Sequence, residues 1–506
     1  MGNDVLKMHA DDSVGIALRD LAAGELATPD VKCLGAVPTG HKVALQAIEA
    51  GEAVRKYGHV IGVARRDLAA GEHVHSHNLG YSSDAAAPAR HTAGGRLSRS
   101  DTSSGVPAKF LGYRRANGKV GTRNFVGVMA TVNCSATVVA RIARHFETSR
   151  ELDESNVDGV VPIAHQSGCG IPASHGVELG LLQQVLRGYL DHPNFCGWLV
   201  VGLGCEVNQA SQLLGAAGGD VPTVSLNIQE AGGTTAAISA GIGQVRDLIA
   251  ESAGLTRSEA PLSALTLGLQ CGGSDAWSGV TANPALGNAV DRLVARGGSA
   301  ILAETPELHG AEELLKDRAI DAGVAAALQR KVDWWHDYLA AHHQNVDSNP
   351  SPGNLAGGIT TILEKSLGAV AKGGSTPLAG VLDYAERLRG QGLWFMDSPG
   401  YDPCSVTGEV AAGANVVCFT TGRGSTFGAA GAPTLKLASN SRLFSRMRDD
   451  MDVDCGGIAD GRDSIERVGE RIARAVVDAA SGKRTSSERH GLGTFEFVPW
   501  TPGAVV

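Results

Sequence analysis

The sequence predicts a small all-β module followed by two α/β lobes with largely parallel sheets. Three observations carry this reading. A short motif recurs within the first 80 residues. From Phe110 onward, apolar runs alternate with helical patterns. The texture breaks once more near residues 250–262. The expected boundaries are 1–81 for the module, 82–107 for a flexible linker, 108–258 for the first lobe and 259–506 for the second.

The recurring motif is Val14-Gly-Ile-Ala-Leu-Arg-Asp-Leu-Ala-Ala-Gly-Glu25, repeated as Ile61-Gly-Val-Ala-Arg-Arg-Asp-Leu-Ala-Ala-Gly-Glu72. A weaker copy is Lys42-Val-Ala-Leu-Gln-Ala-Ile-Glu-Ala-Gly-Glu52. Each copy reads as a short strand and then a turn. The turn's glycine (Gly24, Gly51, Gly71) supplies a positive φ at no steric cost. Residues 82–107 are rich in Ala, Ser, Gly and Arg without an apolar period, as a linker is.

Beyond the linker, Phe125–Val132, Trp198–Leu203, Leu265–Leu269, Ser299–Ala303 and Ala414–Thr420 are continuous apolar runs. Unalternating strands followed by helices point to parallel sheets covered on both faces. Ligands of such sheets sit beyond the carboxyl ends of the strands.

Bulk properties narrow the function. The 506 residues carry a net charge of −9 and no long basic run, which excludes a nucleic-acid footprint. An anionic substrate therefore has to be held by local cations or a metal. Aromatic residues are only 5% of the chain, so aliphatic and alanine-rich packing has to form the cores. No apolar run reaches about 18 residues, the length of a membrane helix. The start Met1-Gly-Asn-Asp has no signal-peptide pattern. Nine cysteines, an odd number spread along the chain, fit a reducing compartment. A cytoplasmic protein is expected, with a small molecule as its partner and a homo-oligomer, such as a dimer, as its assembly.

Chemistry-bearing residues recur at the expected strand ends. Cys134, Cys169, Cys205 and Cys271 each follow an apolar run in a turn of small residues. Thiolates there suit a soft or borderline metal such as Fe²⁺ or Zn²⁺. The competing reading is four buried structural cysteines. Cys196 and Cys418 lie inside apolar runs and read as core. A second cluster, His73-Val-His75-Ser-His77-Asn78, places three imidazoles at i, i+2 and i+4. On a strand these share one face, which suits metal binding or proton transfer. Solvated surface histidines are the alternative. Asn349-Pro-Ser-Pro-Gly-Asn354 reads as a substrate loop or a plain turn, and Lys365 as an anion contact or a solvated helix start. Thr420-Thr421-Gly-Arg423-Gly-Ser425 follows an apolar strand and offers backbone N–H groups beside an arginine, which suits a carboxylate or a phosphate, with a plain loop arginine as the alternative.

These segments, in this order, resemble the altronate/galactarate dehydratase family from near residue 8 to near residue 500. The carrying stretches include Lys56-Tyr-Gly-His-Val-Ile-Gly, Gly71-Glu-His-Val-His-Ser-His-Asn78, Tyr113–Asn124, Gly202-Leu-Gly-Cys-Glu-Val-Asn-Gln209 and Cys271-Gly-Gly-Ser-Asp275. Glu304-Thr-Pro-Glu307, Ser351-Pro-Gly-Asn354 and Thr420-Thr-Gly-Arg-Gly424 continue the match. The resemblance implies that the N-terminal module is the family's SAF domain, a β-clip. It implies conversion of altronate or galactarate to a 2-keto-3-deoxy acid, with Fe²⁺, or else Mn²⁺ or Mg²⁺, as cofactor. A related branch removes sulfite from sulfolactate, and the fused module favours the sugar-acid branch. A non-catalytic binder of acidic sugars is the alternative from another class.

On this footing we expect His75, His77, Glu206 and Cys205 to ligate the metal. His73 and His75 are expected to move protons, with Lys365 and Arg423 as catalytic cations. Cys134, Cys169, Cys271, Ser274, Asp275, Asn354, Thr421 and Arg423 are expected to line the substrate site.

Overall fold

The computed structural model describes residues 4–82, 105–171, 176–215 and 221–502. The expected linker at 82–107 lies almost wholly outside the described residues. The N-terminal module is all β, as the repeats predict. Strands Val5–Leu6, Val14–Ala17, Lys42–Ala44 and His73–Val74 form one antiparallel sheet, and Ala53–Lys56, His59–Ala64 and Leu79–Gly80 another. The repeat explains the packing. Its equivalent positions Leu21, Ile48 and Leu68 are all buried, and Ile48 bridges Leu68. Gly24, Gly51 and Gly71 have φ of 89°, 82° and 87°, the conformation the turns require.

The first lobe holds a four-stranded sheet in the order Gly159–Ile163, Phe125–Ala130, Phe195–Gly202, Thr223–Asn227, every pair parallel. The second lobe holds a seven-stranded parallel sheet in the order Leu378–Leu382, Gly392–Met396, Ser299–Ala303, Thr266–Cys271, Val416–Thr421, Thr434–Ala438, Val453–Asp454. Near the expected lobe boundary, strand Arg257–Pro261 returns to pair antiparallel with Lys109–Arg114.

The lobes share a core. Helix Val177–Leu190 of the first packs on helix Asp402–Ala412 of the second. The approach is close enough that a Cβ on Gly188 would lie 2.5 Å from the Ala411 carbonyl oxygen. Ile171, just past Cys169, and Cys404, just past Asp402, belong to this one apolar core. The carboxyl ends of both sheets therefore flank the same packed region.

Candidate active site

The carboxyl edge of the second sheet gathers charge. Strand Thr266–Cys271 ends in Cys271, whose Sγ lies 3.0 Å from Lys372 Nζ. Strand Ser299–Ala303 runs into Glu304, a buried residue in the left-handed region with φ of 76°. A non-glycine side chain there is strained, and such strain collects at functional positions. Glu307 follows in a short 3₁₀ turn and pairs with Lys365 at 2.7 Å. Asp402 opens helix Asp402–Ala412.

Three carboxyl groups thus meet two lysines in a largely buried site, and two of the carboxyls, Glu304 and Asp402, hold their protons more tightly than usual. Burial, then the negative charge of Glu307 and Asp402, push Glu304 well above the usual carboxylate range. Its Oε2 is buried without a hydrogen-bond partner. Burial and then Glu307 push Asp402 up to about 7, against the pull of Lys372 and Lys365. Burial alone would push the Lys372 ammonium down, but Cys271, Glu304 and Glu307 hold it above its usual value. Carboxyls that keep a proton near neutrality are what acid–base chemistry needs.

A glycine turn joins this cluster to a basic pocket. A Cβ on Gly272 would lie 2.2 Å from Asp402 Oδ2, and one on Gly273 would touch the Thr421–Gly424 turn. Gly273 O accepts from the N–H groups of Gly422 and Arg423. The pocket beyond, about 490 Å³, is lined by Arg423, Arg442 and Arg446, with Asp275 and Asn440 beneath and Thr39 of the module on the other wall. Arg423 is exposed. Asp275 is buried and fixed by four hydrogen bonds, from Ser278 N, Ser278 Oγ, Ser439 Oγ and Asn440 Nδ2. A Cβ on Gly422 would lie 2.1 Å from its Cγ. Gly422→Ala is therefore expected to destabilise the protein by about 1–3 kcal/mol, the scale of overpacking, measured by denaturant unfolding. A neutral effect would mean the turn can move.

The module closes the site through buried charge. Lys42 Nζ and Lys56 Nζ, from two module strands, reach Glu364 at 2.8 and 2.7 Å. Thr361 caps helix Ile362–Ala371 and also donates to Ile61 O of the module. Beside this junction lie four imidazoles. His41 Nδ1 and His73 Nε2 are 3.1 Å apart, and His75 Nε2 meets Leu355 O at 2.9 Å. His41 also hydrogen-bonds the backbone of Ala356, a residue of the pocket wall. Burial, then neighbouring imidazoles, push His41 and His73 down to about 4, so both are neutral at pH 7.

Comparison with known proteins agrees with this arrangement. The altronate/galactarate dehydratase SAF domain matches residues 3–82. The second domain of D-galactarate dehydratase/altronate hydrolase matches 112–253, and the C-terminal domain of D-galactarate/altronate dehydratase matches 262–505. The chain belongs to the altronate/galactarate dehydratase family. It is 38% identical to an altronate dehydratase of Escherichia coli (strain K12), over 96% of this chain and 97% of that one. It is 35% identical to a galactarate dehydratase (L-threo-forming) of the same organism, over 96% and 95%. A (2R)-sulfolactate sulfo-lyase subunit beta of Chromohalobacter salexigens is 32% identical, over 77% of this chain and 96% of its own.

Within this family member, several expected site residues meet. Cys271, Ser274, Asp275 and Lys365 line one cavity with Lys56 and Tyr57 of the module. Ser274 Oγ is buried there without a partner. Thr421 and Arg423 share the glycine turn, where Thr421 Oγ1 accepts from Gly424 N. Asn354 instead serves the backbone. It completes a capping box with Ser351 and donates to Ser274 O, so the 349–354 stretch is a helix start.

Two expectations need correction. The strand expected across His73–His77 stops at Val74, because the Asn78 side chain accepts from His75 N and folds 75–78 into a turn. The imidazoles gather nonetheless, with His73 ring centroids 5.6 Å from His75 and 5.5 Å from His77. The second correction concerns the metal. His75 and His77 belong to the module, while Cys205 and Glu206 follow a first-lobe strand. Both Glu206 oxygens are taken, by Thr131 Oγ1 at 2.6 Å and Gly204 N at 2.7 Å. Among the described residues no three His, Cys, Asp or Glu side chains converge as a single ion requires. These four residues do not fit one divalent ion.

Sequence reasoning missed Glu304, Glu307, Lys372, Asp402, His41, Arg442 and Arg446 as site residues. One signal was available: Lys372 caps the end of the helix that holds Lys365, seven residues and about two turns further on, and so falls on the same side.

Proposed function

We propose that the chain is a hydro-lyase that removes water from a sugar acid such as D-altronate or galactarate and releases a 2-keto-3-deoxy acid. The observation that carries this reading is Asp402, a carboxyl that keeps its proton up to about pH 7 one glycine turn from a pocket lined by three arginines. Dehydration removes the proton beside the carboxylate and expels hydroxide from the next carbon. The arginines hold the substrate carboxylate and stabilise the charge that builds on it. Asp402 donates its proton to the leaving hydroxyl. A neutral imidazole of the His41, His73 and His75 group accepts the carbon-bound proton. The enol left behind tautomerises to the keto acid.

The relatives named dehydratases span module and lobes in one chain, as this protein does, and are 38% and 35% identical to it, against 32% for the sulfo-lyase subunit beta, whose alpha subunit matches as a separate chain; this supports water over sulfite as the leaving group. Incubating the purified protein with C6 aldonates and aldarates, and assaying keto acid and sulfite separately, tests the choice. Sulfite from sulfolactate, with no keto acid from any sugar acid, would replace this reading.

Arg423→Lys is expected to raise KM while leaving the fold intact. Lysine cannot reproduce a forked contact to a carboxylate. A lost hydrogen bond to a charged group is worth about 1.5–3 kcal/mol, or roughly 10–150-fold in kcat/KM. Kinetics close to wild type would leave Arg442 and Arg446 as the carboxylate's partners. An iron requirement stays in this reading, in the form argued next.

A further inference from the structure

Six of the nine cysteines, Cys33, Cys196, Cys271, Cys404, Cys418 and Cys455, are buried, as free cysteine usually is. The other three, Cys134, Cys169 and Cys205, are exposed, and all three are free thiols. Their placement follows from the first sheet. Strands Gly159–Ile163, Phe125–Ala130 and Phe195–Gly202 lie side by side and run parallel. Each cysteine sits a short turn beyond the carboxyl end of one of them, on the edge where a parallel sheet binds its ligand.

The three turns are stitched into one rim. Asn133 N donates to Ser167 O at 2.9 Å, next to Cys134 and two residues before Cys169. Val207 N and Asn208 N both donate to Gly168 O at 3.1 Å, tying the Cys205 turn to the Cys169 turn. Asn208 Nδ2 donates to Thr131 O at 2.9 Å, tying it to the Cys134 turn. Gly168, Gly170 and Gly204, beside Cys169 and Cys205, have φ of 99°, 71° and 131°, which keeps the backbone around the thiols bare. A carboxylate is near but engaged elsewhere, since Glu206 accepts from Thr131 and Gly204. Cys205 Sγ accepts from an amide, Gln229 Nε2, at 3.8 Å.

The strand order limits what three such thiolates can hold. A single ion with metal–sulfur bonds of about 2.3 Å needs the sulfurs within about 4 Å of one another. No such convergence occurs among the described residues. Neighbouring strands are about 4.8 Å apart, so turns from three strands frame a ligand several ångströms across. Soft thiolates framing a ligand of that size suit an iron–sulfur cluster.

We propose that Cys134, Cys169 and Cys205 hold an iron–sulfur cluster of the 4Fe–4S type. Three protein thiolates cover three of its four irons and leave the fourth facing solvent. This replaces the mononuclear iron site, and it does not depend on which acid is dehydrated.

The full chain, reconstituted anaerobically with ferrous iron and sulfide, is expected to bind about four iron and four sulfide per chain. It should show broad visible absorption that bleaches on reduction. Cys134→Ser, Cys169→Ser and Cys205→Ser should each lose most of the iron, sulfide and colour. All three positions are exposed, so folding should be kept, as circular dichroism can verify. Cys33→Ala, in the module, should keep the full content. Iron bound without sulfide, no iron bound, colour retained in the three serine variants, or equal loss in Cys33→Ala would each overturn the proposal. None of these readouts uses a substrate, so a wrong substrate assignment and a wrong cluster assignment fail separately.

Discussion

Asp402→Asn is expected to lower kcat by roughly 10²–10⁴-fold, the usual contribution of a positioned acid or base, with little change in stability. Asparagine keeps the shape beside Gly272, where there is no room for a larger group, but it has no proton to give. The pH profile separates this role from a structural one. The wild-type carboxyl is pushed up to about 7, first by burial and then by Glu307. As the proton donor it is competent below that value, so kcat should fall as the pH rises through about 7. In Asp402→Asn the residual rate should lose that limb. A variant that keeps the limb would assign it to another group, with Glu304 next, since its carboxyl is raised by burial and by Glu307.

The sequence made the architecture legible for a physical reason. Continuous apolar strands leave few alternatives to doubly covered parallel sheets, and the 14–25 and 61–72 repeat announces its turns through glycine. The site was only half legible. Residues inside glycine-rich turns, such as Cys271, Asp275 and Arg423, advertise themselves because glycine next to a polar group signals a close approach. Glu304, Glu307 and Asp402 carry no such mark. Their character comes from neighbours distant in sequence: Lys372 and Lys365 on another helix, and desolvation that no local window reports. The cysteines show the same limit. Cys134, Cys169, Cys205 and Cys271 look alike as strand-end thiols, yet three are exposed on one rim while Cys271 is buried against Lys372. Only the strand order separates them.

The largest stability effect should come from Glu364→Gln. Glu364 is buried between Lys42 and Lys56, whose side chains are 0% and 1% exposed, and it also accepts from Thr360 N and Oγ1. Removing its charge leaves two ammonium groups in a dry interface with no counter-ion. The expected cost is about 3–5 kcal/mol, the scale for breaking a buried ion network from one side. The pH dependence has a definite sign. In the wild type, Lys42 and Lys56 hold the Glu364 carboxyl well below its usual 4.5, although burial alone would raise it. That contribution is present above about 4.5 and is lost as the pH falls, so the acid limb of wild-type stability should shrink in the variant. At the alkaline end, burial already pushes Lys42 down to about 8 with Glu364 in place. Without the carboxylate it falls further, the folded state binds fewer protons than the unfolded one, and stability rises with pH up to the unfolded lysine value of about 10.4. Denaturant unfolding at pH 7 and pH 9.5 should therefore show a smaller deficit at the higher pH. Replacing all three charges together, as Lys42→Met, Lys56→Met and Glu364→Leu, should return most of the stability, because apolar groups of similar volume carry no desolvation penalty. A Glu364→Gln protein within about 1 kcal/mol of wild type at pH 7 would mean that water reaches the two lysines, and that the module is not clamped on the second lobe by charge.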